Sequence, residues 1–182
     1  MVLGAGANKI STSSAAFRKP VIINEMISEF GPEKVTVAID VDVNKAMPSG
    51  YEVYIDGGRT ATGTDAIEWA KKVDSFGVPV ILPTSKAGDG SRIGYDLPVI
   101  KAMANACSAA IVASRGAGKM EHFLEAVEAG ATVLLAASVF HFKFPDNILI
   151  LIRPYFNNII HREMSGIFSY QRRSVDFCSC SN

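Results

Sequence analysis

The stretch Val35-Thr36-Val37-Ala38-Ile39, which Asp40 follows, decides the fold. Its β-branched and apolar residues are continuous rather than alternating, as is typical of a strand buried on both faces of a parallel sheet. Three later runs of the same character predict further strands, at residues 78–82, 109–113 and 132–136. A weaker run at residues 9–12 predicts a fifth strand.

Segments with helical periodicity lie between these runs. The clearest carries Met120, Phe123, Leu124 and Val127 at spacings of i, i+3, i+4 and i+7, and it stops at Gly130. The other predicted helices are residues 21–30, 64–76 with Thr64 as the expected N-cap, and 97–106. Strands that alternate with helices are parallel and joined by right-handed crossovers. The predicted fold class is therefore α/β.

The connection from residue 41 to residue 63 is long and contains a strand signal of its own. Residues 51–55 alternate in polarity, and Asp56-Gly57-Gly58 follows them as a turn. We expect a small hairpin inserted after the strand that ends at Asp40. Insertions at the C-terminal ends of strands build the active-site walls of barrel enzymes, so this hairpin is expected to border a functional site.

The composition excludes several classes of protein. The 182 residues carry 18 Lys+Arg against 18 Asp+Glu, so no overall field attracts nucleic acid or an acidic membrane. With 48% apolar and 20% charged residues, the chain is globular rather than disordered. Three cysteines form no disulfide framework, and no apolar run approaches the roughly 18 residues of a membrane span. We expect a cytoplasmic protein with no metal site and no nucleic-acid or membrane partner.

Polar residues follow the predicted strands. Just after the apolar runs come Asp40, Thr84, Ser85, Ser114 and Ser138. The C-terminal ends of parallel strands meet at one edge of the sheet, where ligands bind. Asp40 is the sharpest of these residues, because a carboxylate that closes an apolar strand is costly to bury without a partner. It is predicted to be an acid/base group, with a hydrogen-bonded anchor for the following loop as the alternative.

The segment Ser114-Arg115-Gly116-Ala117-Gly118-Lys119 has the outline of a phosphate cradle. Its glycines allow backbone N–H groups to approach an anion, and the N-terminus of the following helix adds a favourable dipole. It matches neither the P-loop nor the dinucleotide fingerprint, and a tight strand-to-helix turn is the alternative. Asp89, between Gly88 and Gly90, is either a second functional carboxylate or a local turn residue. His122 is predicted to lie on the surface of its helix.

Several longer motifs resemble one known family. The segments that carry the resemblance include Gly6-Ala7-Asn8-Lys9-Ile10-Ser11, Val37-Ala38-Ile39-Asp40, Glu68-Trp69-Ala70, Gly94-Tyr95-Asp96, Gly116-Ala117-Gly118-Lys119-Met120-Glu121-His122-Phe123 and Ala136-Ala137-Ser138-Val139-Phe140-His141-Phe142. Over roughly residues 3–144, the chain closely resembles the cyclase subunit of imidazole glycerol phosphate synthase, which belongs to histidine biosynthesis.

The resemblance implies a (βα)₈ barrel of the TIM type and a lyase activity. The family takes ammonia from a glutaminase partner and cyclises a ribulosyl aminoimidazole carboxamide nucleotide that carries a phosphate at each end. The products are imidazole glycerol phosphate and aminoimidazole carboxamide ribotide, and the reaction needs no metal or redox cofactor.

The resemblance also assigns site residues. It puts Asp40 at one of the family's two acid/base aspartates, and Asp89 is our second candidate for a catalytic carboxylate. The residues that match the group around one substrate phosphate are Asp89, Gly90, Gly116, Ala137 and Ser138, with Ser114 beginning the same cradle. Ser13 and Ser14 stand where the family contacts the other phosphate.

The match begins near the family's fourth strand, without the other catalytic aspartate, and five strands cannot close an eight-stranded barrel. We therefore expect residues 1–144 to form a partial barrel of about five parallel strands, completed by oligomerisation. Residues 145–182 are expected to form a divergent tail that is frayed or dependent on a partner. Turnover by this chain alone is left open, and a non-catalytic phosphate-binding or assembly module is the alternative.

Overall fold

A computed structural model of the chain describes residues 3, 6–86 and 93–136, all of which belong to one compact unit, Met1–Phe144. The strands among these residues are β1 Ile10–Thr12, β2 Val35–Val43, β3 Tyr51–Ile55, β4 Thr60–Asp65, β5 Val80–Ser85, β6 Ala110–Ser114 and β7 Val133–Leu135. The α-helices in the described part of the chain are α1 Ser14–Arg18, α2 Val21–Phe30, α3 Ala66–Asp74, α4 Leu97–Ala106 and α5 Glu121–Glu128, and a 3₁₀ turn occupies Pro32–Lys34. The predicted tail, residues 145–182, lies outside the described residues.

The described strands form one sheet in the order β4-β3-β2-β5-β6-β7. The pairs β1–β2, β2–β5, β5–β6 and β6–β7 are parallel, and β2–β3 and β3–β4 are antiparallel. One edge of β2 is shared, because β1 pairs with its first part and β3 with its last part. The predicted α/β class, the five parallel strands and the inserted hairpin β3–β4 are all confirmed. Within the described residues the sheet is open, as a partial barrel requires.

The two faces of β2 differ in burial. Val35, Val37, Ile39 and Val41 are at most 1% exposed, and helices α2 and α3 pack against this strand. The residues between them alternate to the other face, where Asp40 is half-buried. We call this second side of the sheet the Asp40 face. It is less covered than the helix side, as the inner face of an incomplete barrel would be.

Two predicted strands end later than expected. The run predicted at residues 78–82 forms β5, Val80–Ser85, so Thr84 and Ser85 lie within that strand. The strand that begins at Val35 does not end at Asp40 but continues to Val43. The reason is the hairpin, since β3 pairs with β2 from Asp40↔Tyr54 to Val43↔Tyr51 and extends the strand beyond its apolar run. Asp40 therefore lies within the strand rather than at its end.

The start of α3 also differs from the prediction. The N-cap is Asp65 rather than Thr64, because the Asp65 carboxylate accepts hydrogen bonds from the backbone N–H groups of Ile67 and Glu68. Helices α2 and α4 begin and end where the periodicity predicts. None of the helices in the described part of the chain is long and apolar enough to cross a membrane.

Candidate functional site

Asp40 lies between two other strands at the centre of the sheet. It is in register with Tyr54 of β3 on one side and with Thr84 of β5 on the other. Burial raises the pKa of its carboxyl group, while the positive charge of Arg115 and a hydrogen bond from the backbone of Gly58 oppose that rise. A half-buried carboxyl group with a raised pKa is suited to give and take protons. The acid/base role of Asp40 stays a prediction.

The polar strand ends that the sequence predicts do lie side by side. Thr84 is buried and level with Asp40. The neighbouring strand β6 pairs with β5 up to Ile81↔Ile111 and ends three residues later at Ser114. The sheet therefore places Asp40, Thr84 and Ser114 on three adjacent strands, and we call these three residues the Asp40 row.

The hairpin borders this row, as predicted. The backbone of Gly58 at the hairpin tip acts on the Asp40 carboxylate and lowers its pKa. The Nζ of Lys86, just after β5, lies 4.1 Å from the centroid of the Tyr54 ring and 3.1 Å from Oδ2 of Asp42. A Cβ on Gly58 would stand only 3.3 Å from the Lys86 side chain, so the tip packs closely on that lysine.

Ser14 holds the hairpin tip from the β1 side. Its Oγ accepts a hydrogen bond of 2.9 Å from the backbone N–H of Asp56, and Arg18 forms an ion pair of 2.6 Å with the Asp56 carboxylate. Ser13 precedes α1, where its side chain makes no capping hydrogen bond. The structure thus gives Ser14 a structural role, and binding of a phosphate by Ser13 and Ser14 remains a prediction.

The segment from Ser114 to Gly118, which we call the Ser114 turn, begins at the last residue of β6 and leads towards α5. Arg115 has a φ of 67°, a left-handed backbone conformation that residues other than glycine rarely adopt. Gly116 has a φ of 92°. A Cβ on Gly116 would lie 2.0 Å from the carbonyl oxygen of Gly94, whose own N–H donates to the Gly116 carbonyl over 2.9 Å. Gly116 is therefore required by packing against Gly94, whether or not the turn binds an anion.

His122 is buried, which makes its predicted surface position wrong. Its side chain is 4% exposed, and its Nδ1 accepts a hydrogen bond of 3.1 Å from the backbone N–H of Gly118. In the neutral ring the proton is then on Nε2, the nitrogen nearer to Gly94. One N–H of the Ser114 turn is thereby already engaged and is not free to hold a phosphate.

Four of the predicted site residues lie outside the described residues. They are Asp89, Gly90, Ala137 and Ser138. Their assignments remain predictions. In the described part of the chain, no group of three or more His, Cys, Asp or Glu side chains could hold a metal ion.

Sequence reasoning missed a carboxylate on the helix side of the sheet, at the ends of the same strands. Asp96 accepts a hydrogen bond of 2.7 Å from the Tyr51 hydroxyl at Oδ1 and one of 2.6 Å from the Ser85 hydroxyl at Oδ2. Burial, together with the Asp96 carboxylate, raises the pKa of Tyr51 well above its usual range. The three residues are far apart in sequence, and only the fold joins them.

Comparison with known proteins adds a family and several relatives. The family described as histidine biosynthesis protein matches residues 1–144. The chain is 47% identical to imidazole glycerol phosphate synthase subunit HisF of Pyrobaculum aerophilum over 139 residues, which cover 76% of this chain and 54% of that protein. The proteins of the same name from Thermobifida fusca and Nocardia farcinica are 46% and 45% identical, and the match covers 78% of this chain and 56% of each relative. The chain spans about half the length of the curated relatives it matches.

Proposed function

The chain belongs to the histidine biosynthesis protein family, and from this premise we propose that it takes part in the ammonia-dependent cyclase reaction that its motifs imply. The proposed substrate is the ribulosyl aminoimidazole carboxamide nucleotide with a phosphate at each end. Its products would be imidazole glycerol phosphate and aminoimidazole carboxamide ribotide, and the proposed reaction uses no metal or redox cofactor.

The observation that carries this proposal is the environment of Asp40. Asp40 is a half-buried carboxyl group inside a strand. Burial raises its pKa, while the charge of Arg115 and the backbone of Gly58 oppose that rise. Asp42, two residues on, faces the same side but forms an ordinary ion pair with Lys86. Of these two neighbouring carboxylates, Asp40 is therefore the one whose surroundings suit proton transfer. We assign Asp40 an acid/base role and retain Asp89 as the second catalytic candidate.

Phosphate recognition forms the second part of the proposal. The Ser114 turn lies on β6, to one side of Asp40, while Ser13 and Ser14 follow β1, on the other side. A substrate with a phosphate at each end could then extend across Asp40. Gly90, Gly116, Ala137 and Ser138 are the other proposed anion contacts.

The proposed partners follow from the relatives and from the open sheet. The relatives are named as one subunit of a synthase, and we propose that a glutaminase supplies the ammonia here. We further propose a homo-oligomer in which a second copy completes the barrel and contributes a second Asp40. The scarcity of cysteine supports a cytoplasmic setting for this activity.

Ammonia-dependent turnover of the nucleotide tests the catalytic proposal. We expect the purified chain to convert the substrate and Asp40→Asn to lose at least about 100-fold in kcat, because the amide can neither accept nor donate the proton in transfer. Asp42→Asn is the matched control, since it removes a carboxylate from the same face of the same strand and should retain activity. Equal rates for the wild type and Asp40→Asn would refute the role of Asp40 and would point to a contaminating host enzyme.

The alternative function is a non-catalytic module that binds phosphate. The glycine-containing Ser114 turn before α5 favours it, because such turns hold anions without any chemistry. This alternative predicts that inorganic phosphate binds both to the wild type and to Asp40→Asn, while neither protein turns over the nucleotide.

The anion site itself is tested by Ser114→Asp, which adds a negative charge at the start of the turn. We expect at least a tenfold loss of inorganic phosphate affinity in calorimetric titration. Gly116→Asp is unsuitable as the main variant, because its Cβ would collide with Gly94 and the turn would distort. If the folded Ser114→Asp variant binds phosphate as tightly as the wild type, the Ser114 turn is not the anion site of either the cyclase or the non-catalytic module.

A further inference from the structure

Two of the strands that carry the Asp40 row, β5 and β6, are not joined by backbone pairing at the level of Thr84 and Ser114. Strand β5 pairs with β2 along its whole length, up to Val41↔Ser85. Its pairing with β6 consists of Val80↔Ala110 and Ile81↔Ile111 and then stops. Pro83 follows in β5 and has no amide hydrogen to donate to a neighbouring strand. The C-terminal halves of β5 and β6, which carry Thr84 and Ser114, are therefore not held together by a ladder.

Residues 94–96 span this gap through side chains and turns. On the β6 side, the N–H of Gly94 donates to the carbonyl of Gly116, and the two glycines are in close contact. The hydroxyl of the buried Tyr95 donates to the carbonyl of Leu135 in β7 over 3.2 Å. These contacts fix the first two residues of the segment to the Ser114 turn and to the last described strand.

On the β5 side, Asp96 completes the connection. Its two oxygens each accept one hydroxyl, from Ser85 at the end of β5 and from Tyr51 at the start of β3. Hydroxyl-to-carboxylate hydrogen bonds at 2.6 and 2.7 Å are short and charge-assisted. Ser85 is 3% exposed, so water competes little for its bond. Asp96 thus ties the Ser114 turn to the two strands that flank β2 near Asp40.

We propose that Asp96 is a positioning residue that sets the distance between Asp40 and the Ser114 turn where the β5–β6 ladder has ended. This inference rests on the proposed function, in which one substrate is held at the turn while Asp40 transfers a proton. Asp96 touches neither Asp40 nor the turn, and it acts through Ser85 and through Gly94. A small displacement of a binding group relative to a reacting group can cost about 100-fold in rate.

The substitution Asp96→Asn tests the proposal. Asparagine offers one acceptor oxygen and an NH₂ donor, so it cannot accept both hydroxyls, although its shape is unchanged. We expect kcat for ammonia-dependent turnover to fall about 100-fold while KM changes by less than about threefold, because the turn keeps its own contacts with phosphate. A merely structural role would instead lower activity in proportion to the folded fraction, which denaturation with urea measures.

Two further variants keep the test valid if Asp96→Asn folds poorly. Ser85→Ala removes only the bond to β5 and should reproduce most of the loss in kcat. Ser108→Ala is the matched control, since it also removes a hydroxyl-to-carboxylate bond, 3.1 Å to Asp74, but at the opposite end of β6. A normal kcat in folded Asp96→Asn and Ser85→Ala would overturn the proposal.

A readout without turnover separates this proposal from the proposed function. Inorganic phosphate at the Ser114 turn should raise the pKa of Asp40 in the wild type, because a nearby negative charge disfavours the carboxylate. NMR titration of the Asp40 carboxyl carbon should show a smaller rise in Asp96→Asn. Wild-type protein that neither binds phosphate nor turns over the nucleotide would refute the proposed function, and the positioning role with it. If the wild type binds phosphate and turns over the nucleotide, but phosphate raises the Asp40 pKa equally in the wild type and in Asp96→Asn, only the positioning role is refuted.

Discussion

Asp40 and Arg115 form the least expected pair of residues in the site. Arg115 occupies a left-handed position with a φ of 67°, where glycine would be unstrained. Its positive charge acts on Asp40, where it opposes the effect of burial. The conformational cost of an arginine at this place is thus accompanied by an electrostatic effect on the carboxyl group that we consider catalytic.

The substitution Arg115→Gly should raise the pKa of Asp40 further above its ordinary value. It removes the charge that favours the carboxylate and leaves burial, which favours the protonated form. The pKa is measured by NMR titration of the Asp40 carboxyl carbon. Lys86→Met is the control, because Lys86 pairs with Asp42 and should leave Asp40 unaffected. An unchanged or lowered pKa in Arg115→Gly would contradict the electrostatic role of Arg115.

At the scale of elements, the sequence predicts most of the sheet and little of what joins its parts. The apolar runs predict β2, β5, β6 and β7, because burial on both faces leaves a continuous pattern in the sequence. The extension of β2 beyond Asp40 could not be predicted, since it depends on pairing with the hairpin.

The candidate site divides in the same way. Asp40 could be singled out because its own position in the sequence is unusual, and its pKa is raised by burial in the structure. Its acid/base role stays a prediction. The buried position of His122 and the bonds of Asp96 come from tertiary contacts between distant segments, for which the sequence holds no local signal.

The N-cap of α3 provides the prediction at this scale. Asp65 is 8% exposed and accepts from the N–H groups of Ile67, Glu68 and Ser49, so it caps the helix and also fixes the start of the hairpin. We expect Asp65→Ala to lower the free energy of unfolding by about 2 kcal/mol. Glu68→Ala, which removes only an exposed pair with Lys71, should cost less than about 0.5 kcal/mol. Urea denaturation at neutral pH measures both values.

The same variant predicts a pH dependence. Burial would raise the pKa of Asp65, but hydrogen bonds from Ser49, Glu68 and Ile67 outweigh it and lower the pKa in the folded state. A lowered folded pKa contributes stability above the ordinary value of 3.8, and this is lost as the pH falls through the folded pKa. The difference in stability between wild type and Asp65→Ala should therefore shrink in acid. A difference that stays constant from pH 7 to pH 3 would contradict this account.

For the whole molecule, the proposed completion of the partial barrel would use β7, the strand at the end of the described sheet. Val133 and Leu135 are 46% and 48% exposed, and they pair with Val112 and Ser114 of β6, which puts them on the Asp40 face. Exposed apolar side chains on a strand at the end of the described sheet favour association with another sheet. A second copy of the chain could cover them and bring a second Asp40 to the same interior.

Replacing Leu135 with lysine tests this association. The wild type should sediment as a dimer at micromolar concentration. Leu135→Lys should raise the dissociation constant of the dimer at least about tenfold, because two charged groups would have to be buried in the interface. Val21→Lys is the matched control. Val21 is 44% exposed, but it lies on α2, which packs on the helix side of the sheet and away from the Asp40 face. If dissociation by Leu135→Lys also abolishes turnover, then the completed interior is what the reaction needs. A monomeric wild type that turns over the nucleotide would instead mean that one row of Asp40, Thr84 and Ser114 suffices without a second copy.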